Sequence, residues 1–450
     1  MQEFDIVVIG FGKAGKTLAL KSAMMGKKVA LIERSEKMYG GTCINIGCIP
    51  TKSLIKQSYL ARRCNKQSEA NYQQSIQKKN QLVEFLRAKN YENLAQNKNI
   101  TIFNGDASFL DKSTIQIAGK EKQSIKGKKI FINTGADSVM PNIPIDSKRV
   151  YTSTTLLDLE ELPKEFVIVG GGYIGLEFAC MYANFGSKVS ILIRSSSLMP
   201  KEDEEIERSV QDSFEKMGIN LIFNADAKSI KDKVEKACIS YEKEGKSFEI
   251  NADAALIAIG RKAYTKGLDL DKAKIALNSR GEIITDEFLK TNVENIYALG
   301  DVKGGRLFTY ISLDDFRIVF DSLFGEGKRN TNNRTAVPDV LFLDTPLSHV
   351  GLREREAREK GYEIKVAKLP AAAIPRARIL ENTTGLLQLI TDAKTDLILG
   401  ATLYCEDSSE MINIFSLAIN AGLPYQKLRD MIFTHPSMSE AINDLCGLIK

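Results

Sequence analysis

Two histidines in 450 residues leave little material for an imidazole-based metal centre. No hydrophobic run approaches the ~20 apolar residues of a membrane-spanning helix, so no membrane partner is expected. The N-terminus has no basic region, apolar stretch and small-residue cleavage site; it carries Glu3 and enters a strand pattern at once, and the chain is expected to be cytoplasmic. Nor is there a basic face. The 62 Lys and Arg are scattered among 57 Asp and Glu for a formal charge of +5, which gives nucleic acid no footprint. Seven cysteines are an odd number for so long a chain and argue against a secreted disulfide framework. Any disulfide is therefore expected to be catalytic rather than structural.

What remains is an ordinary globular composition, 43% hydrophobic and 26% charged, long enough for several domains. Two distant segments have the same organisation. FDIVVIGFGKAG from Phe4 leads through TLALKSAMMG to VALIERS, and FVIVGGGYIG from Phe166 leads through LEFACMYANFG to VSILIRS. Each is a strand, a glycine turn, a helix and a strand, a βαβ unit of ~30 residues. The expected fold is α/β, with two Rossmann-like nucleotide domains and a C-terminal α+β domain without a glycine turn. Connector composition puts the divisions at residues 1–150, 151–267, 268–335 and 336–450. Residues 61–99 are polar and helical, with Ile76, Val83 and Leu86 on one stripe and Leu82 and Phe85 beside it, which predicts a solvated helical hairpin.

Gly10, Gly12 and Gly15 match G-x-G-x-x-G: a tight turn, a close approach of backbone to pyrophosphate, and close packing of helix on strand. Glu33 ends the next strand, where a carboxylate bonds an adenosine ribose. Gly170, Gly172 and Gly175 repeat the fingerprint, but the position equivalent to Glu33 is Ile193, followed by Arg194. A neutral side chain beside an arginine suits a 2′-phosphate, so NADPH is favoured and NADH remains possible. As a solvated surface charge, Arg194 would need no such role.

GGTCINIGCIPTK, residues 40–52, sets Cys43 and Cys48 five residues apart. A regular helix would separate them by about 7.5 Å, beyond the ~4.4–6.8 Å usual for disulfide Cα atoms, so bonding requires a distortion that Gly47 and Pro50 can supply. Zinc would want more ligands and tighter spacing; no metal site is expected, and two unconnected thiols are the remaining alternative.

With this motif the chain resembles the pyridine nucleotide-disulfide oxidoreductases, the family of glutathione reductase, dihydrolipoamide dehydrogenase and mercuric reductase, through essentially its whole length. The resemblance implies FAD and NADPH as cofactors, a homodimer with an active site shared between subunits, and hydride transfer from NADPH to flavin and then to a Cys43–Cys48 disulfide. It makes Cys43 the attacking thiol and Cys48 the one against the flavin, pairs Lys52 with Glu177, and makes His435 and Glu440 of THPSMSE an acid–base pair serving the other subunit. It sets Gly41 and Thr42, Thr134 and Gly135 of INTGA, Gly260 and Arg261 of IAIGRK, and Gly300 and Asp301 of NIYALGDV around the cofactors. A depressed thiol pKa is expected to keep the nucleophile ionised. Phe308–Asp321 and Thr345–Gly351 depart from the glutathione and lipoamide forms and supply no set of carboxylate clamps, which leaves Arg376 and Arg378 of IPRAR for that role. Taken with MYGGTCINIGCIPTK, these stretches are similar to the reactive-chlorine-resistance flavoreductases, a group associated with cupric-ion reduction under oxidant stress. Cu(II) is the expected acceptor. The alternatives are a low-molecular-weight disulfide, a dihydrolipoamide-type reaction, and a non-catalytic FAD/NADPH-sensing scaffold.

Overall fold

Val7, Val8 and Ile9 are β-branched and fully enclosed, which suits the centre of a parallel sheet covered on both faces. They belong to β1 (Gln2–Ile9), flanked in parallel by β2 (Val29–Glu33) and β6 (Lys122–Ile132). β3 (Ile100–Asn104) extends this sheet beyond β2, while β4 (Asp106–Phe109) and β5 (Thr114–Ala118) make an antiparallel meander with β6. The computed structural model describes all of residues 1–450. The sheet runs β3-β2-β1-β6-β5-β4, and the much later strand Ile296–Ala298 joins it in parallel on β6.

Helix α1 (Lys13–Met24) follows β1, and α2 (Thr42–Asn45) and α3 (Cys48–Arg63) follow β2. The polar segment forms α4 (Glu69–Ala95), started by Ser68, whose hydroxyl accepts the Asn71 N–H at 3.2 Å. Its stripe is narrower than the sequence implies. Ile76 and Val83 are buried and Leu86 partly so, but Leu82 and Phe85 lie exposed.

The second βαβ unit builds its own parallel sheet, ordered Asn220–Phe223, Lys188–Ile193, Glu165–Val169, Ala254–Ile257, Val150–Thr152. α5 (Tyr173–Phe185) and α6 (Glu204–Lys216) accompany it. An antiparallel sheet of Ala225–Lys233, Lys236–Lys243 and Lys246–Ala252 recruits Ile145–Asp146, so the chain is engaged in this unit before residue 150. Two short strands, Ala136–Ser138 and Arg261–Ala263, pair where the chain leaves and re-enters the first unit. After α7 (Thr309–Phe324) comes a five-stranded antiparallel sheet from Asp339 to Tyr404 with the helices Ser408–Asn420 and Ala441–Gly447.

One apolar core ties the three units together. Leu54 and Tyr72 of α3 and α4 pack in it with Phe178, Tyr182 and Phe185 of α5 and with Leu341 and Tyr404 of the C-terminal sheet. Side chains of this size contribute about 1.5–3 kcal/mol each on full burial. The orientation of α3 against the second βαβ unit is therefore fixed by packing. No helix is long and apolar enough to cross a membrane.

Candidate redox active site

Gly40 and Gly41, with φ of +97° and +78°, deliver the chain into α2. α2 cannot run on into α3, because Gly47 takes φ −134° and ψ −119°, and a Cβ there would stand 2.9 Å from the Thr42 carbonyl oxygen. This break is the distortion that the cysteine spacing requires. It brings Cys43 and Cys48 close enough for their thiols to titrate as an interacting pair.

The two thiols are not equivalent. Cys48 is the first residue of α3, where the helix N-terminus favours an anion. Its pKa falls to about 6, chiefly through the hydrogen bond from Cys43, helped by Thr309 and by the charge of Lys52 and opposed by burial. Cys43 is pushed up by the same sulfur–sulfur bond, by burial and by the Cys48 charge. The two sulfurs titrate as an interacting pair, and the lowered thiol is Cys48. Thr309, the first residue of α7, lies with its hydroxyl 3.5 Å from the Cys48 sulfur. It falls in the stretch that the sequence singled out only as a departure from related forms.

Lys52, one turn along α3, sets its ammonium 2.6 and 2.7 Å from the two oxygens of Glu177 on α5. The Glu177 side chain is 8% exposed and that of Lys52 32%, and Glu177 also accepts the Phe342 N–H at 3.1 Å. A half-buried ion pair with an added backbone donor is a rigid element, and it ties α3 to the second nucleotide unit.

The first fingerprint turn is closed by Asn133, which the sequence reading passed over although it lies inside INTGA. Its Oδ1 accepts the Gly15 N–H at 2.9 Å, and its Nδ2 donates to the Leu299 carbonyl at 2.7 Å. Side chains are excluded here: a Cβ on Gly10 would lie 2.3 Å from the Asn133 carbonyl oxygen, and one on Gly41 would lie 2.6 Å from Gly12 Cα. Glu33 accepts the N–H groups of Phe11 (3.0 Å) and Ser35 (3.2 Å), and burial raises its pKa. Asp301 is also raised by burial, countered by Arg261 and Lys303, and its carboxylate has no hydrogen-bond partner within the chain. A narrow glycine cradle, a carboxylate held at the end of β2 and an unpartnered acid on the second motif fit FAD. Thr42, close to Gly135, and Thr134, whose hydroxyl donates to the Tyr264 carbonyl at 2.6 Å, border the same cradle. Gly300 is fixed by the buried Asp315, which accepts its N–H at 2.7 Å and is itself charge-compensated by Lys303 and Arg334. Sequence gave no signal for Asp315, since an acid inside an otherwise apolar helix reads as solvated.

In the second fingerprint, a Cβ on Gly170 or Gly175 would meet backbone at 2.5 or 2.2 Å, whereas Gly172 and Gly260 look onto open space. That opening admits a pyrophosphate at the α5 N-terminus, as NAD(P)H requires. Ile193 is buried beneath Gly171, while Arg194 is exposed and forms no ion pair. Arg261 donates to the Ala136 carbonyl at 2.5 Å, across the paired crossing strands.

His435 and Glu440 meet, with Nδ1 2.8 and 2.9 Å from the two carboxylate oxygens, and the pair holds the Glu440 carboxyl below its ordinary value. The His435 side chain is 70% exposed and touches neither cysteine of its own chain. The other histidine, His349, is enclosed between Thr402 and the Gly351 carbonyl, and burial depresses its pKa to about 3. Arg376 and Arg378 lie on the short helix Pro375–Ile379 and form no hydrogen bond with the redox segment.

A family model described as pyridine nucleotide-disulphide oxidoreductase matches residues 4–314, and one described as pyridine nucleotide-disulphide oxidoreductase, dimerisation domain, matches residues 337–446. The probable pyridine nucleotide-disulfide oxidoreductase RclA of Escherichia coli (strain K12) is 49% identical over 453 residues, covering 100% of both chains. Mercuric reductase of Bacillus cereus is 34% identical over 450 residues, covering 98% of this chain and 70% of that one. Among solved structures, the Cu(II) complex of HOCl-induced flavoprotein disulfide reductase RclA from Escherichia coli superimposes with a TM-score of 0.95 at 49% identity, over 100% of both chains. With these matches along nearly its whole length, the chain belongs to the pyridine nucleotide-disulfide oxidoreductases, as an FAD- and NAD(P)H-dependent oxidoreductase that carries the family's dimerisation domain.

Proposed function

We propose that this enzyme passes electrons from NAD(P)H to the Cys43–Cys48 pair and from there to a small oxidant, with Cu(II) the acceptor best supported. The observation that carries the reading is the pair itself: two cysteines brought together across the break at Gly47, with Cys48 at the start of α3 and the Thr309 hydroxyl 3.5 Å from its sulfur. FAD, held by Gly10, Gly12, Gly15, Glu33, Gly41, Thr42, Thr134, Gly135, Gly300 and Asp301, would supply the two electrons that convert a Cys43–Cys48 disulfide to the dithiol. Gly170, Gly172, Gly175, Gly260 and Arg261 would hold NAD(P)H, with Arg194 favouring NADPH through its 2′-phosphate.

Cys48 is the sulfur assigned to the flavin side, because Thr309 and Lys52 hold its charge there. Cys43 is the thiol that meets the acceptor. A base is needed wherever a proton leaves Cys43, and His435 oriented by Glu440 is the base assigned to it, from the second subunit. The exposure of His435 in its own chain supports that division of labour. Lys52 and Glu177 fix the start of α3 between the two nucleotide units.

Oxidation of the dithiol to the disulfide releases two electrons and two protons, enough to reduce two Cu(II) to Cu(I), and soft sulfur favours the lower oxidation state. The 49%-identical relative solved as a Cu(II) complex, and described as HOCl-induced, supports copper and an oxidant-stress setting. The supply of NAD(P)H and the five free cysteines outside the redox pair, Cys64, Cys180, Cys238, Cys405 and Cys446, support a cytoplasmic location. NADPH-dependent Cu(II) reduction by the purified holoenzyme should far exceed that of Cys43→Ser and Cys48→Ser. Faster turnover of oxidised glutathione or lipoamide than of Cu(II), or full activity in both variants, would overturn the assignment.

A further inference from the structure

The side chain that closes the redox loop is not a cysteine neighbour in sequence but Arg87, near the end of the polar helix α4. Asn45 lies between the two cysteines and is buried. Both protons of its amide are used: Nδ2 donates to the Tyr39 carbonyl at 3.0 Å and to the Gly41 carbonyl at 2.9 Å. Those two carbonyls belong to the segment that leads into Cys43. With Nδ2 committed, Oδ1 must face the other way, and there it accepts Arg87 Nε at 2.8 Å. Arg87 has no ion pair, and this is its one hydrogen bond.

One turn further along α4, Asn90 accepts the ammonium of Lys16 on α1, and it abuts Gly40, where a Cβ would lie 3.4 Å from Asn90 Cγ. α4 therefore grips both the redox loop and the helix that follows the first fingerprint. The loop in turn rests on that fingerprint, backbone to backbone, at Gly41 and Gly12. A helix that the sequence presents as a solvated hairpin thus also holds the segment that leads into Cys43.

We propose that Arg87 is a positioning residue for the redox reaction: through Asn45 it fixes the Tyr39–Gly41 approach to Cys43 and so the geometry of Cys43 against Cys48. Without the guanidinium, the Asn45 carbonyl is buried with no donor, and the amide has reason to turn and release both backbone carbonyls. Lysine can replace the donor but not the guanidinium plane, so it restores part of the effect. This inference rests on the Cys43–Cys48 pair being the electron donor, but not on which acceptor it serves.

The test compares wild-type holoenzyme with Arg87→Met and Arg87→Lys in three measurements. NADPH-driven reduction of Cu(II) and of the probe disulfide DTNB reports turnover through the cysteines. NADPH-driven reduction of menadione reports electrons leaving the flavin directly. Iodoacetamide labelling of Cys43 in the reduced enzyme, followed by mass spectrometry, reports the thiol alone. In Arg87→Met, cysteine-dependent turnover should fall at least about tenfold relative to menadione reduction. Cys43 labelling should change with it, and Arg87→Lys should recover part of both. Flavin content and melting temperature confirm that the variants fold, and Arg87→Lys carries the test if Arg87→Met does not. An unchanged ratio of the two activities in a folded variant overturns the proposal, as does a proportional loss of both without altered Cys43 labelling. If the wild type fails to reduce Cu(II), the acceptor assignment falls while DTNB and labelling still decide the role of Arg87.

Discussion

Replacing Thr309 by valine removes one hydroxyl and almost no volume, and it isolates what the α7 N-terminus does for Cys48. The Thr309 hydroxyl is 3.5 Å from the sulfur and is one of three influences holding the thiol down at about 6, after the Cys43 hydrogen bond and ahead of Lys52. Hydrogen bonds to charged groups contribute about 1.5–3 kcal/mol, and a long bond to sulfur belongs below that range, at about 1 kcal/mol. At ~1.36 kcal/mol per pH unit, Thr309→Val should raise the apparent pKa by about 0.7 unit. Loss of a group that stabilises the anion moves the titration upward, so at pH ~6 the thiolate fraction should fall from about one half to about one sixth. The assay is the ultraviolet thiolate absorbance of the reduced holoenzyme, titrated through the acid and neutral range and corrected with Cys48→Ser. Because the sulfurs share a proton, the midpoint belongs to the pair, and the shift between variants is the quantity to read. An unmoved midpoint, or one displaced downward, would refute the claim that this hydroxyl supports the charge.

Arg194→Ala should reduce the NADPH-over-NADH ratio of kcat/KM by about five- to tenfold, the value of one exposed charge-assisted contact to phosphate, with NADH kinetics little altered; equal loss with both nucleotides would show that Arg194 does not meet the 2′-phosphate. His435→Ala should cut turnover of DTNB by about 10²–10⁴-fold while sparing flavin reduction by NADPH. Mixed dimers of His435→Ala and Cys43→Ser chains should regain activity, which identical dimers of either lack, if each site draws its base from the other subunit. Asn133→Ala should weaken FAD retention, since the Gly15 N–H and the Leu299 carbonyl lose their common partner at a cost of about 1–3 kcal/mol; dialysis against bromide followed by flavin absorbance would reveal it.

Sequence made legible the features whose chemistry is local. The two glycine turns depend on residue types within a single loop, and the need for a break between Cys43 and Cys48 follows from helix geometry alone. Partners contributed from afar left no such mark. Asn133 lies 118 residues from Gly15, and Thr309 lies 261 from Cys48. In isolation, an asparagine after a strand or a threonine before a helix is common punctuation. Residues 61–99 show the same limit: the period of Ile76 and Val83 gives the packed stripe, but a period cannot reveal that Arg87 and Asn90 face the redox loop and α1. A depressed thiol was legible in kind, but its supports were not: the Thr309 hydroxyl and the Lys52 charge act on Cys48 together from α7 and α3.

The route of the chain through the first sheet also orders its assembly. Every strand of the second parallel sheet lies between Val150 and Ile257, so that sheet is complete while the first still lacks the strand Ile296–Ala298 and α7. Ala14 waits for Ser312 to accept its N–H, and Asn133 for the Leu299 carbonyl. A polypeptide emerging from the ribosome therefore completes the parallel sheet of its second glycine fingerprint before that of its first, although the first fingerprint is made earlier. In the interval the later half of β6 is an unpaired edge, open to strand addition from other chains. Flavin loading is in this sense a late checkpoint of synthesis, reached only when some two-thirds of the chain has been made.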